Sequence, residues 1–242
     1  MRVLRISVLA LMMLFLVLGV ANAQTFEECY NEGVEYTSQG KFDEAISAFK
    51  KAIAINPNDA EAHSNLGAIY GVKGMFDEEI VECKKAISID PNYVKAHSNL
   101  GAAYAEKEMV DEAIAEYKKA IVINPNYAEA HSNLGAAYVE KGMIDEAIAE
   151  CKKAIAIDPN LDRAHFNLGL TYGRKGMFDE AIAECKKAIA INPNYAATYN
   201  TLAVAYYNKK EYGLAIEQCD RAIELGYTVH PGFLEALKPY RK

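Results

Sequence analysis

The sequence predicts an all-α fold: a solenoid of six helical hairpins closed by one further helix at the C-terminus. Three observations predict it. A shift of 34 residues lays Gly67, Gly101, Gly135 and Gly169 on one another, and superposes Tyr36, Tyr70, Tyr104, Tyr138, Tyr172 and Tyr206. Each period carries two apolar stripes at helical spacing. The first five periods also close on a proline, at Pro57, Pro91, Pro125, Pro159 and Pro193. A fixed period of this length marks an array in which every copy is one supersecondary unit.

The stretch from Ala128 to Asn160 shows how one copy is built. His131, Leu134, Gly135 and Tyr138 stand at i, i+3, i+4 and i+7, the buried stripe of a first helix. Gly142 tolerates the left-handed conformation that ends it. Asp145 and Glu146 suit the positive N-terminal end of a second helix, and Ile148, Cys151 and Ile155 form that helix's stripe. Asp158, Pro159 and Asn160 stop it, because proline cannot continue the hydrogen-bond ladder and restricts the residue before it.

Leu134-Gly135 with Tyr138, followed by Ala147, Ala154 and Pro159, resembles the tetratricopeptide repeat, whose pattern runs Trp-x2-Leu-Gly-x2-Tyr, then Ala and Pro. Six copies in register cover 26–59, 60–93, 94–127, 128–161, 162–195 and 196–229, within a repeat region of 24–229. The resemblance implies a right-handed α-solenoid with a concave groove lined by the first helices. Some positions depart from the pattern. Cys29, His63, His97, His131, His165 and Tyr199 occupy the tryptophan place, Glu79 stands where a small alanine is expected, and Glu108 replaces the helix-ending glycine.

The two ends of the chain differ from the array. Arg2 and Arg5 precede an uncharged apolar run from Ile6 to Val20, and Ala21-Asn22-Ala23 follows. That is the anatomy of a secretory signal peptide spanning 1–23, cleaved between Ala23 and Gln24. An uncleaved signal anchor is the alternative, although the run is short beside the roughly 20 residues that span a bilayer. A short core and basic head fit bacterial export, giving a periplasmic or secreted protein with no membrane insertion after cleavage. At the other end, Pro231 to Leu237 reads as a short helix with proline in its first turn. Residues 230–242 are expected to cap the array, with Phe233 and Leu237 covering the last seam.

Charge and motifs exclude several function classes. Taking Arg2 and Arg5 from 26 basic residues leaves 24 against 33 acidic ones, net −9, which argues against nucleic acid as a partner. The lysine pairs such as Lys152-Lys153 follow glutamates such as Glu150, and read as a solvated face of ion pairs. Cys83, Cys151, Cys185 and Cys219 fall on buried stripes one or more repeats apart, too far for disulfides, whereas Cys29 is the candidate reactive thiol. The histidine row is spaced by whole repeats and cannot converge on one metal ion. There is no HExxH, CxxC, GxSxG or glycine-rich phosphate loop. The expectation is no catalytic residues, no metal and no cofactor.

One row could bind a ligand. Asn31, Asn65, Asn99, Asn133 and Asn167 recur two residues past the tryptophan place, with Thr201 ending the row. The resemblance puts this place on the concave groove, where it is similar to the asparagine ladder in the repeat domain of O-linked N-acetylglucosamine transferase, which holds extended peptide by its backbone. A carboxamide offers both donor and acceptor, the complement of a peptide unit. Duplication alone would also copy the row, since His-Ser-Asn recurs whole in three repeats. Lys95, Glu129, Arg163, Phe166 and Tyr199 are expected at the groove edge. The family's carboxylate clamp is not visible, its basic places holding Ser64, Asn99 and Asn133. The expected function is a non-catalytic scaffold binding a protein or extended peptide. Two alternatives stand beside it: an enzyme-associated redox factor working through Cys29, and a self-associating structural module.

Overall fold

The structure, a computed structural model, describes residues 24–241; the expected signal peptide 1–23 and the terminal Lys242 lie outside them. The described residues form thirteen α-helices and one 3-10 turn. In chain order the helices pair as α1 (Phe26–Ser38) with α2 (Phe42–Ile55), α3 (Ala60–Val72) with α4 (Phe76–Ile89), and α5 (Val94–Glu106) with α6 (Val110–Ile123). The series continues with α7 (Ala128–Glu140) and α8 (Ile144–Ile157), α9 (Asp162–Lys175) and α10 (Phe178–Ile191), then α11 (Ala196–Asn208) and α12 (Tyr212–Glu224). A last helix, α13 (Pro231–Leu237), runs into the turn Lys238–Tyr240. The chain divides into two compact units, the first ending at Pro91 and the second beginning at Asn92. Two hairpins make the first unit; four hairpins and α13 make the second. Within each unit, consecutive hairpins pack side by side in the manner of a helical-repeat solenoid.

Local chemistry sets the boundaries. Thr25 and Glu28 form a reciprocal capping box at the start of α1. Asp59 Oδ1 accepts the Ala62 amide at 2.7 Å to open α3. Acidic residues occupy the first turn of the second helices α2, α4, α6, α8 and α10, facing the positive end of the macrodipole. Between the helices of a pair, Gly142 sits at φ 78°, and Glu108 and Lys210 adopt the same left-handed geometry at φ 60° and 64°. The substitution Glu108 makes for glycine therefore leaves the turn intact, at the steric expense of a side chain in that region.

Packing within a hairpin depends on missing side chains. A Cβ at Gly135 would fall 2.5 Å from Cys151 Sγ and 3.2 Å from the Ala147 carbonyl. Gly67 and Gly169 meet the second helix in the same way, and a Cβ at Gly101 would fall 2.7 Å from the Tyr117 ring. Glu79, out of place by the family pattern, is buried at 5 % exposure. The facing helix accommodates it with Gly71, whose absent Cβ would lie 2.5 Å from Glu79 Oε2.

Within each unit, side chains also join one hairpin to the next. Lys141 meets Asp111 at 2.5 Å, Lys175 meets Asp145 at 2.7 Å, Lys209 meets Asp179 at 2.5 Å, and Lys73 pairs with Asp43 in the first unit. Such exposed pairs contribute roughly 0–1 kcal/mol each, so they tune register more than stability. The lysine doublets lie on the exposed, ion-paired face expected from sequence and divide their roles there. In the second unit, Lys118, Lys152 and Lys186 lie 5.6, 5.9 and 5.8 Å from the ring centroids of Tyr138, Tyr172 and Tyr206 in the following repeat. Their neighbours Lys119, Lys153 and Lys187 bind Glu116, Glu150 and Glu184 at 2.7–2.8 Å.

Among the described residues, one buried side-chain polar atom lacks a partner. Thr198 is fully buried and its Oγ1 makes no hydrogen bond, at the place held by Ala62, Ala96, Ala130 and Ala164 in other copies. Thr198→Ala is expected to raise the unfolding free energy by about 1 kcal/mol, because it removes an unsatisfied buried hydroxyl. A urea titration showing a loss of stability would contradict this.

The end of the chain folds as expected. His230 Nδ1 accepts the Gly232 amide at 3.1 Å and Pro231 opens α13. Leu237 is fully buried, and Phe233 packs edge-on against Tyr207 at 5.6 Å. Arg241 fixes the terminal turn through Asp220 at 3.0 and 2.5 Å.

Candidate functional site

The histidines take no part in a binding face. His63, His97, His131 and His165 are buried at 4–5 % exposure. Their Nδ1 atoms lie 2.6–2.7 Å from Oε2 of Glu82, Glu116, Glu150 and Glu184 on the second helix of the same hairpin. In repeats two, four and five, Nε2 lies 3.0–3.1 Å from the carbonyl of Pro57, Pro125 or Pro159 in the preceding loop. In those three repeats the ring thus ties a loop, a first helix and a second helix together. Tyr199 does the same in repeat six, its hydroxyl donating to the Pro193 carbonyl at 3.0 Å. That corrects one sequence expectation: Tyr199 is 8 % exposed and belongs to the core, not to the groove edge.

The cysteines are inert. All five are free and buried. Burial first, then the charge of Glu150 or Glu184, pushes the Cys151 and Cys185 thiols up to about 12, so neither is a thiolate at neutral pH. Cys83 is raised further, by burial and then by Glu79 and Glu82. Cys29, expected to be reactive, is 1 % exposed with Sγ 3.6 Å from Gln24 Oε1. Its burial removes the access an attacking thiol needs.

The asparagine row has unequal rungs. Asn31 is exposed on α1, and Asn65, Asn99 and Asn133 are half-buried on α3, α5 and α7. Asn65 donates to the Tyr30 hydroxyl at 2.9 Å. Asn167 is 9 % exposed, and its amide is engaged by the Ser132 carbonyl and Oγ, both at 3.1 Å. The Asn133 carboxamide makes no hydrogen bond among the described residues and opens into a hollow of about 190 Å³. Donor and acceptor are both available there, so this rung can bind a peptide unit.

That hollow belongs to a recurring feature between consecutive first helices. Ala102 and Ala136 line it between α5 and α7, under Glu106, Glu140 and Arg163. Two repeats later the same register, now Leu170, Thr201 and Val204, encloses about 190 Å³ between α9 and α11. In the first unit the equivalents are Val34, Asn65 and Ala68, around about 340 Å³ floored by Phe49. Of the expected edge residues, Lys95, Glu129 and Arg163 are exposed, with Arg163 lining the hollow over Asn133. Phe166 is half-buried and packs edge-on against Tyr195 at 4.9 Å. The hollows themselves were not expected from sequence, since their openness depends on how two facing helices sit. The one signal for them is small side chains at the place of Ala68, Ala102 and Ala136.

A chain in which, within each unit, hairpins complete their cores against one another and first helices offer side chains to a shared face is a helical-repeat protein. Its relatives define it further. Family profiles described as TPR repeat match residues 33–74, 103–142 and 137–176. Others described as tetratricopeptide repeat match 60–93, 82–115, 162–195 and 184–217. Crystallised MamA is 32% identical over 66% of this chain and 94% of its own, with a TM-score of 0.55. The chain belongs to the tetratricopeptide repeat family. YrrB, described as a TPR protein with an unusual peptide-binding site, is 26% identical over 75% of this chain and 94% of its own, with a TM-score of 0.54. A chain of the APC/C hetero-tetramer Cut9–Hcn1 superposes with a TM-score of 0.84 over 90% of this chain at 19% identity, a likeness of fold. This chain spans 43% of that protein's length. No curated protein matches the sequence.

Proposed function

We propose that the protein is an exported, non-catalytic scaffold that holds a protein or extended peptide along the face formed by its first helices. Assembly of an envelope or secretion complex is the setting such export would suit. The carrying observation is Asn133, whose unengaged carboxamide lies in an open hollow flanked by Glu106, Glu140 and Arg163. Family membership supports the reading, because tetratricopeptide proteins bind protein or peptide partners, and the description of YrrB points the same way. The leader-like run of residues 1–23 supports export, and among the described residues no helix is long and apolar enough to cross a membrane. The redox alternative loses its basis with the burial of Cys29.

The test is affinity capture from a periplasmic extract, comparing the wild type with Asn133→Ala. Capture of the specific partner is expected to fall about tenfold in the variant, the loss of two hydrogen bonds to a peptide unit, while circular dichroism stays unchanged. Equal capture by both proteins would move the ligand off this face.

A further inference from the structure

The two hollows on the first-helix face of the second unit differ in chemistry. Over Asn133, the carboxylates of Glu106 and Glu140 edge a floor of alanines, with Arg163 alongside. None of these three charges has an ionic partner among the described residues, although charges nearby pair closely, as Asp111 does with Lys141 and Asp145 with Lys175. Glu106 and Glu140 are also the last residues of α5 and α7. Each therefore adds its charge to the negative end of a helix dipole, where a cation is favoured. Two carboxylates and two helix ends outweigh one guanidinium, so the potential in this hollow is negative.

Two repeats on, Leu170, Phe178 and Val204 line an apolar hollow, with Thr201 in place of the asparagine. At the intermediate step the groups bond to one another. Asn167 is tied to Ser132, and Arg174 Nη1 donates to the Val139 carbonyl at 3.1 Å. The face thus presents an acidic recess and, two repeats on, an apolar recess.

Building on the peptide-binding reading above, we infer that this face selects an extended segment with a lysine or arginine in the Glu106–Glu140 hollow and an apolar side chain in the Leu170–Val204 hollow. Packed helices lie about 8–10 Å apart, so hollows two repeats apart are separated by roughly 20 Å, which an extended strand at about 3.3 Å per residue spans in about six residues. An even spacing puts both side chains on the same side of the strand, as the shared face requires. Asn133 holds the backbone beside the cation, and Arg163 is placed to bind a carbonyl of the same segment.

The probes are fluorescein-labelled nonapeptides of serine and threonine with lysine and leucine six residues apart, in both orders, together with their Lys→Glu and Leu→Ser counterparts. Binding to the full chain is read by fluorescence anisotropy. One lysine–leucine order is expected to bind, and the Lys→Glu change to weaken it about tenfold through like-charge repulsion. The Leu→Ser change is expected to weaken it by a similar factor, about tenfold, through lost apolar burial. In a folded Glu106→Gln, Glu140→Gln variant, discrimination between the lysine and glutamate peptides should disappear. Equal binding of those two peptides to the wild type would overturn the inference, as would discrimination that persists in the variant. If none of the peptides binds while Asn133-dependent capture of a partner survives, this inference fails and the broader reading stands. Loss of both would remove the face as a binding site.

Discussion

Glu150→Ala is expected to destabilise the second unit by about 2 kcal/mol, the cost of leaving a buried hydrogen-bonding group without its partner. His131 is buried at 4 % exposure, with Nε2 3.0 Å from the Pro125 carbonyl and Nδ1 2.6 Å from Glu150 Oε2. Both neighbours are oxygen acceptors, and the Glu150 carboxylate meets the ring inside the hairpin, away from water. Lys153 meets the other carboxylate oxygen at 2.8 Å. Removing the carboxylate leaves a buried donor facing nothing, whereas Glu150→Gln keeps an acceptor there and should cost about 1 kcal/mol. Urea titrations of the two variants check the difference; equal, small losses would mean the pair contributes nothing.

The same pair sets an acid limit. Burial raises the pKa of the Glu150 carboxyl, but the hydrogen bonds and charges of Lys153 and His131 outweigh it, holding the group below its ordinary 4.5; Glu184 behaves alike beside Lys187 and His165. A carboxyl with a depressed folded pKa contributes stability that is complete above the ordinary value and is lost as pH falls through the depressed one. The thermal stability of the wild type should therefore fall below pH 4.5, and less steeply in Glu150→Gln.

Much of this architecture can be read from the chain, and the exceptions share a cause. Helix ends were legible because glycine, proline and acidic residues act locally; α13 spans Pro231–Leu237 as the proline and the apolar pair implied. Burial of the cysteine stripe was legible from period alone. The histidine–glutamate pairs were not, because their partners stand on different helices. Yet the sequence carried a signal for them: His and Glu recur nineteen residues apart in repeats two to five, and both are absent in repeats one and six, where Cys29 faces Ala48 and Tyr199 faces Gln218 in that register. The unequal asparagines lay beyond reach. Asn133 and Asn167 hold the same place in the repeat, but one opens into a hollow and the other binds Ser132, a difference set by how neighbouring helices meet.

Gly135→Val tests that meeting of helices most severely, with an expected loss of about 3 kcal/mol or more, at the top of the range for overpacked cores. The missing Cβ at Gly135 lets α7 approach α8 until the space is shared with Cys151 Sγ at 2.5 Å and the Ala147 carbonyl at 3.2 Å. A thiol can rotate away, but a helix carbonyl cannot, so the backbones must separate and pull Leu134 and Tyr138 from their cluster. Cys151→Ala should therefore rescue part of the defect in Gly135→Ala and little of it in Gly135→Val, whose branched methyls also meet backbone. Gly173 is the control. It is helical, its added Cβ meets nothing within 4 Å, and Gly173→Ala should stabilise by up to about 1 kcal/mol through helix propensity. Should Gly135→Val unfold at the same urea concentration as Gly173→Ala, close approach of the paired helices would not be what holds these hairpins together.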